Sequence, residues 1–131
     1  MPNYSCLKSE RQAAYTRQKG ACCYCTVQMA PITPTGKGYK PNSVSAEHLT
    51  QKSRGGRVKN NIVASCKACN AYRPDGMRPS NYAVLRRLLQ PIWSPGTNPP
   101  KAVRSMLGEM GQAIRQAPPT TSLEDQPHGL E

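Results

Sequence analysis

The chain has 131 residues with no Phe, one Trp and 13 Pro, so it fits one domain whose apolar core is thin enough to need a further staple, such as a structural metal. The formal net charge is +11, and residues 1–80 carry nearly all of it, with 13 Lys or Arg against 3 Asp or Glu. A field of that sign attracts polyanions, and no run approaches the roughly 20 apolar residues of a membrane span.

The opening MPNYSCLKSE lacks the apolar run of a signal peptide, so a reducing cytoplasm is expected, where cysteines bind metal more often than they form disulfides. Residues 9–19, SERQAAYTRQK, predict a short helix capped by Ser9 and stopped by Gly20. ACCYC follows as a tight cysteine turn, and APITPTGKGYKPN (30–42) as a Pro- and Gly-rich loop. SVSAEHL predicts a strand with Val44 and Ala46 on one side, QKSRGGRVKN a basic loop, NIVAS a second strand and CKACNAYR a short helix. Residues 80–90 predict a helix capped by Ser80, with Val84, Leu85, Leu88 and Leu89 on one face and Pro91 ending it. Residues 100–116 predict another, with a stripe of Val103, Met106, Leu107, Met110 and Ile114. The Pro-, Ser- and Thr-rich tail from Ala117 is expected to be disordered.

Six cysteines are present, and Cys22-x-x-Cys25 and Cys66-x-x-Cys69 form two pairs separated by 40 residues. Together they supply the four thiolates of a closed tetrahedral zinc site, each pair gripping from a turn. Cys23 could stand in for Cys22, but the two-residue spacing favours Cys22. Cys6 and Cys23 are then free thiols with no assigned role.

Zinc does not account for the stretch AEHLTQKSRGGRVKNNIVASCKACN, where a single acid, Glu47, sits against His48 within a basic segment. Hydrolysis of a phosphodiester needs a base for water, which a neutral imidazole supplies. It also needs a divalent cation for the developing charge, and a hard ion such as magnesium takes oxygen ligands. Basic side chains hold the phosphates.

In order, the pieces Cys22-x-x-Cys25, Glu47-His48-Leu49, Gly55-Gly56, Asn61-Ile62-Val63 and Cys66-x-x-Cys69-Asn70 resemble the HNH endonucleases of the four-cysteine, zinc-bearing kind, over about residues 20–73. Glu47 stands where that family more often has Asp, and Asn70 where it more often has His. Asn61 is preferred to its neighbour Asn60 because Ile62 and Val63 follow it.

The resemblance implies an α+β fold: a small ββα-metal core at about 43–73, stapled by structural zinc at Cys22, Cys25, Cys66 and Cys69, with flanking helices. It implies His48 as general base, Asn61 orienting it, and Glu47 and Asn70 as ligands of a catalytic Mg2+ or Mn2+. Lys52, Arg54, Arg57, Lys59 and Arg73 are the candidates for contacts to nucleic-acid phosphates. The expected organisation is a basic nuclease domain over 1–80, a helical extension over 81–116 that packs on the core, adds DNA contacts or binds a protein partner, and the tail. The expected function is metal-dependent hydrolysis of DNA, double-stranded by preference, in the cytoplasm of a bacterium or phage-infected cell. The alternatives are a zinc-ribbon nucleic-acid-binding module without catalysis and a nuclease directed at RNA.

Overall fold

The computed structural model describes residues 4–31, 40–49 and 61–117. Among them are four helices and one two-stranded sheet, in the order α1 (Tyr4–Arg17), β1 (Val44–His48), β2 (Ile62–Cys66), α2 (Lys67–Tyr72), α3 (Pro79–Leu88) and α4 (Lys101–Gln116). The architecture is mixed helix and strand, as expected. The basic loop with Lys52, Arg54, Gly55, Gly56, Arg57 and Lys59 lies outside the described residues, as does the tail beyond Ala117. No helix among the described residues is long and apolar enough to cross a membrane.

The first helix starts five residues before the expected cap, so Ser9 lies inside it. No Gly or Pro interrupts residues 4–17, and Leu, Lys, Glu, Arg, Gln and Ala are good helix formers. Its end has two bonds of a Schellman turn: Gly20 N–H to the Tyr15 carbonyl at 2.8 Å and Lys19 N–H to that of Thr16 at 3.0 Å. Lys19 and Gly20 both take positive φ, 55° and 77°. Glycine suits position 20, where the φ of 77° strains an L side chain and a Cβ would displace the Gln28 side-chain amide.

The strands pair antiparallel, with Val44 opposite Cys66, Ala46 opposite Ala64 and His48 opposite Ile62. α1 runs beside β2, where the Gln18 side chain behaves as a surrogate strand. Its Nε2 donates to the Ala64 carbonyl at 2.8 Å and its Oε1 accepts from Ala64 N–H at 2.9 Å. Arg17 donates to the Ile62 carbonyl from the same side.

The third helix begins at Pro79 with Arg78 as its N-cap, so Ser80 is not the cap. Proline at the first helical position presets φ and loses no hydrogen bond, which moves the start forward. The expected apolar face holds at Leu89, which is buried, and at Leu85, which is half-buried, but not at its other two positions. Val84 and Leu88 are 61% and 72% exposed, while Tyr82, Arg86 and Leu89 point inward. In α4 the expected stripe holds at Val103 and Leu107, which are buried, and at Met106 and Met110, which are half-buried; Ile114 is on the surface. Gly111 is buried instead, because a Cβ there would meet the Pro74–Asp75 backbone at 3.4–3.7 Å.

One hydrophobic cluster joins these parts, from Ala14 of α1 through Tyr24, Met29 and the strands to Tyr82, Trp93, Val103 and Leu107. Trp93 is 1% exposed. Its indole N–H donates to the Thr97 carbonyl at 2.7 Å, and Tyr72 meets its ring edge-on with centroids 6.5 Å apart. Aromatic side chains bury the most apolar surface per residue, and a core without Phe leans on this one. Trp93→Ala is expected to cost about 3–5 kcal/mol, measured by urea unfolding followed by circular dichroism.

Candidate functional site

Cys22 and Cys25 flank a turn closed by Cys22 N–H to the Val27 carbonyl (2.9 Å) and Thr26 N–H to the Cys22 carbonyl (3.0 Å). Cys66 ends β2 and is the N-cap of α2, and Cys69 lies one turn on. The ligand atoms of Cys22, Cys25, Cys66 and Cys69 all lie within 4.8 Å of one another, and all four residues are buried. Cys25 and Cys66 bring their sulfurs to 3.7 Å. Sulfurs about 2.3 Å from a tetrahedral zinc are about 3.8 Å apart, so the group can hold a metal ion such as zinc. Cys23 is not part of it.

The surroundings suit thiolates. Cys22 Sγ accepts from Cys66 N–H at 3.1 Å and from Tyr24 N–H at 3.4 Å, and Cys66 Sγ accepts from Cys69 N–H at 3.4 Å. Four thiols this close cannot all ionise by themselves. Hydrogen bonds from the thiols of Cys23, then Cys25, Cys66 and Cys69, hold Cys22 below the usual thiol range. Its claim on the shared protons, with that of Cys25, pushes Cys66 and Cys69 above it. A divalent cation lets all four lose their protons together.

Beyond the cluster, β1 ends with Glu47 and His48, Asn61 precedes β2, and Asn70 lies within α2. Leu49 N–H to the Asn61 carbonyl, 2.8 Å, brings residues 49 and 61 together. Asn61 is buried; His48 is half-buried, with Nε2 shut off from solvent.

Helix α2 covers the sheet face that carries Ser45 and Glu47. The Asn70 amide nitrogen donates to Ser45 Oγ at 2.7 Å and to the Ala46 carbonyl at 3.0 Å. A carbonyl only accepts, so the nitrogen must face Ala46 and the Asn70 oxygen turns away from it. Alternation along the strand sends Glu47 towards α2 and His48 to the opposite face.

Glu47 is 3% exposed, and Arg73 grips both of its oxygens. Arg73 Nε meets Oε2 and Nη2 meets Oε1, each at 3.0 Å, while Nη1 donates to the Met77 carbonyl. Arg73, expected to reach a phosphate, is therefore engaged with the expected metal ligand. Tyr24 lies close by, and its phenol is held above its usual range by burial and then by the Glu47 charge. Lys52, Arg54, Arg57 and Lys59 fall outside the described residues.

Comparison with protein-family models, curated proteins and solved structures finds no match to this chain.

Two residues of consequence, Arg73 as the partner of Glu47 and Arg86 beside Cys69, carried no usable signal in the sequence. Each meets its partner across a long separation, 26 and 17 residues. Removing one partner of a buried pair strands the other charge. Arg73→Met is thus expected to destabilise the fold by roughly 3–5 kcal/mol at neutral pH, measured by chemical denaturation. Stripping metal from purified protein with a chelator is expected to abolish the cooperative thermal transition seen by calorimetry, because metal binding to such clusters is folding free energy.

Proposed function

We propose that the protein is a metal-dependent endonuclease that hydrolyses phosphodiester bonds of DNA, on an HNH-like core stapled by structural zinc. One observation supports this reading above others. The four-cysteine cluster anchors a β-β-α unit that carries Glu47 and His48 at the end of β1, Asn61 just before β2 and Asn70 in α2, with Glu47 and Asn70 on the face that α2 covers. These are the four positions that the family pattern assigns to catalysis.

In this reading His48 takes the proton from the attacking water, and Asn61, whose carbonyl accepts from Leu49 N–H, orients the imidazole. Glu47 and Asn70 would hold the catalytic Mg2+ or Mn2+. They fit it chemically: both are hard oxygen donors, Asn70 turns its oxygen outward, and Glu47 already sits opposite a cation, the Arg73 guanidinium. The ion, when bound, neutralises charge on the phosphate and the leaving oxygen. The ion would compete with Arg73 for the Glu47 oxygens, and a guanidinium displaced by it would be free to meet a phosphate. Lys52, Arg54, Arg57 and Lys59 supply further phosphate contacts, and the charge of residues 1–80 steers the polyanion in.

A second reading, a zinc-stapled nucleic-acid-binding module without catalysis, draws support from the same ion pair. With both oxygens taken by Arg73, Glu47 is fully accounted for as a structural residue.

A supercoiled-plasmid nicking assay with Mg2+ or Mn2+ separates the two. The nuclease reading expects nicking that stops with EDTA and falls about 10²–10⁴-fold in His48→Ala, the usual worth of a general base. Protein that binds DNA in a salt-sensitive way yet never nicks it, with binding unchanged when Glu47, His48 and Asn70 are all replaced by Ala, establishes the second reading instead. The same assay on RNA decides the preferred substrate.

A further inference from the structure

Arg86 is the largest anomaly left in the fold. It is 0% exposed, in the last turn of α3. No carboxylate pairs with it among the described residues. Burying a guanidinium without compensation is among the costliest events in folding, so something else must satisfy it. Its Nε donates to Cys69 Sγ at 3.3 Å, Nη1 to the Trp93 carbonyl at 3.0 Å and Nη2 to the Ser94 carbonyl at 3.2 Å. Its Cζ stands 3.8 Å from the centre of the Trp93 ring. The carbonyls and the ring contribute dipoles and a quadrupole. Only the cysteine cluster offers a full negative charge.

The charges suit each other. A divalent ion held by four thiolates carries a net charge of −2, buried here among apolar side chains. A guanidinium bonded to one of the sulfurs cancels half of that excess, and the cluster in turn supplies the anion that Arg86 lacks. We propose that Arg86 is a charge-balancing partner of the zinc–thiolate centre and governs how tightly the metal is held. The hydrogen bond draws electron density on Cys69 towards the guanidinium, and the fixed positive charge stabilises all four thiolates through the low-dielectric interior. Outer partners of metal ligands commonly act in this way. The assignment also gives α3 and the 93–97 turn a function: they hold a cation against the metal centre, and Tyr82 O–H, bonded to the Cys69 carbonyl at 2.8 Å, fixes the same residue from its backbone.

The proposal rests on the zinc reading of the four cysteines and is independent of nuclease activity. The test uses full-length zinc-loaded protein, with Arg86→Gln removing the charge and Arg86→Lys keeping it. Zinc transfer to a chromogenic chelator is expected to be about tenfold faster or more in Arg86→Gln and within about threefold of wild type in Arg86→Lys. In cobalt-substituted protein, the sulfur-to-cobalt charge-transfer band is expected to move to lower energy in Arg86→Gln, while the ligand-field bands stay tetrahedral. A purely structural Arg86 would not shift that band. A folded Arg86→Gln with wild-type zinc transfer and an unmoved band overturns the proposal and leaves the zinc site standing. If Arg86→Gln does not fold, Arg86→Lys decides: transfer as fast as tenfold overturns it, because charge alone then does not hold the metal. Wild-type protein that binds no zinc overturns the cluster reading and this proposal together.

Discussion

The contact among Cys22, Cys25, Cys66 and Cys69 is the constraint from which the rest of the fold follows. It joins a turn near residue 24 to the junction of β2 and α2, across 40 residues of intervening chain, in a protein too poor in large apolar side chains to close that loop by packing alone. The sulfurs also organise backbone. Cys66 N–H bonds to Cys22 Sγ, which fixes the end of β2, and Cys69 N–H bonds to Cys66 Sγ, which caps α2 at its start. Arg86 then brings α3 to the same point. Three elements are placed by one group of four atoms, and hydrophobic contacts fill in around them.

The parts that could be read from the sequence are those governed by local rules. Alternation marked β1, the apolar run of NIVAS marked β2 and cysteine spacing marked the cluster, all close to where they occur. The failures have physical causes. Val84, Leu85, Leu88 and Leu89 make a convincing stripe, yet Val84 and Leu88 face solvent. The helix is turned instead by a charge requirement at Cys69 and by Tyr82 packing edge-on against Tyr24 at 4.7 Å. Neither demand leaves a trace in the periodicity of α3. Glu47 and His48 stood out as an isolated pair, but nothing nearby in sequence could reveal that Arg73 would claim the acid. Pairing over long separations is set by the fold, and one sequence without its fold does not disclose it.

The Glu47–Arg73 pair places stability and function in tension. A carboxylate this buried needs a cation at all times, and the guanidinium meets that need with two parallel bonds. On the proposed nuclease reading, an ion at Glu47 would compete with Arg73 for the carboxylate, an exchange of one cation for another. Such an exchange lowers the apparent metal affinity by the free energy of the broken pair.

The side chains along the small sheet leave little of its margin open. On the β2 side, Gln18 takes both polar groups of Ala64, Arg17 takes the Ile62 carbonyl, and Cys22 Sγ takes Cys66 N–H. On the β1 side, Val44 N–H reaches the Ala30 carbonyl and Asn70 reaches that of Ala46. Exposed strand edges are where chains add to one another, in aggregation and in strand-exchanged dimers. Here several of the hydrogen-bonding sites that such growth would use are already taken by glutamine, arginine, asparagine and a cysteine sulfur, which leaves an added strand fewer groups to pair with.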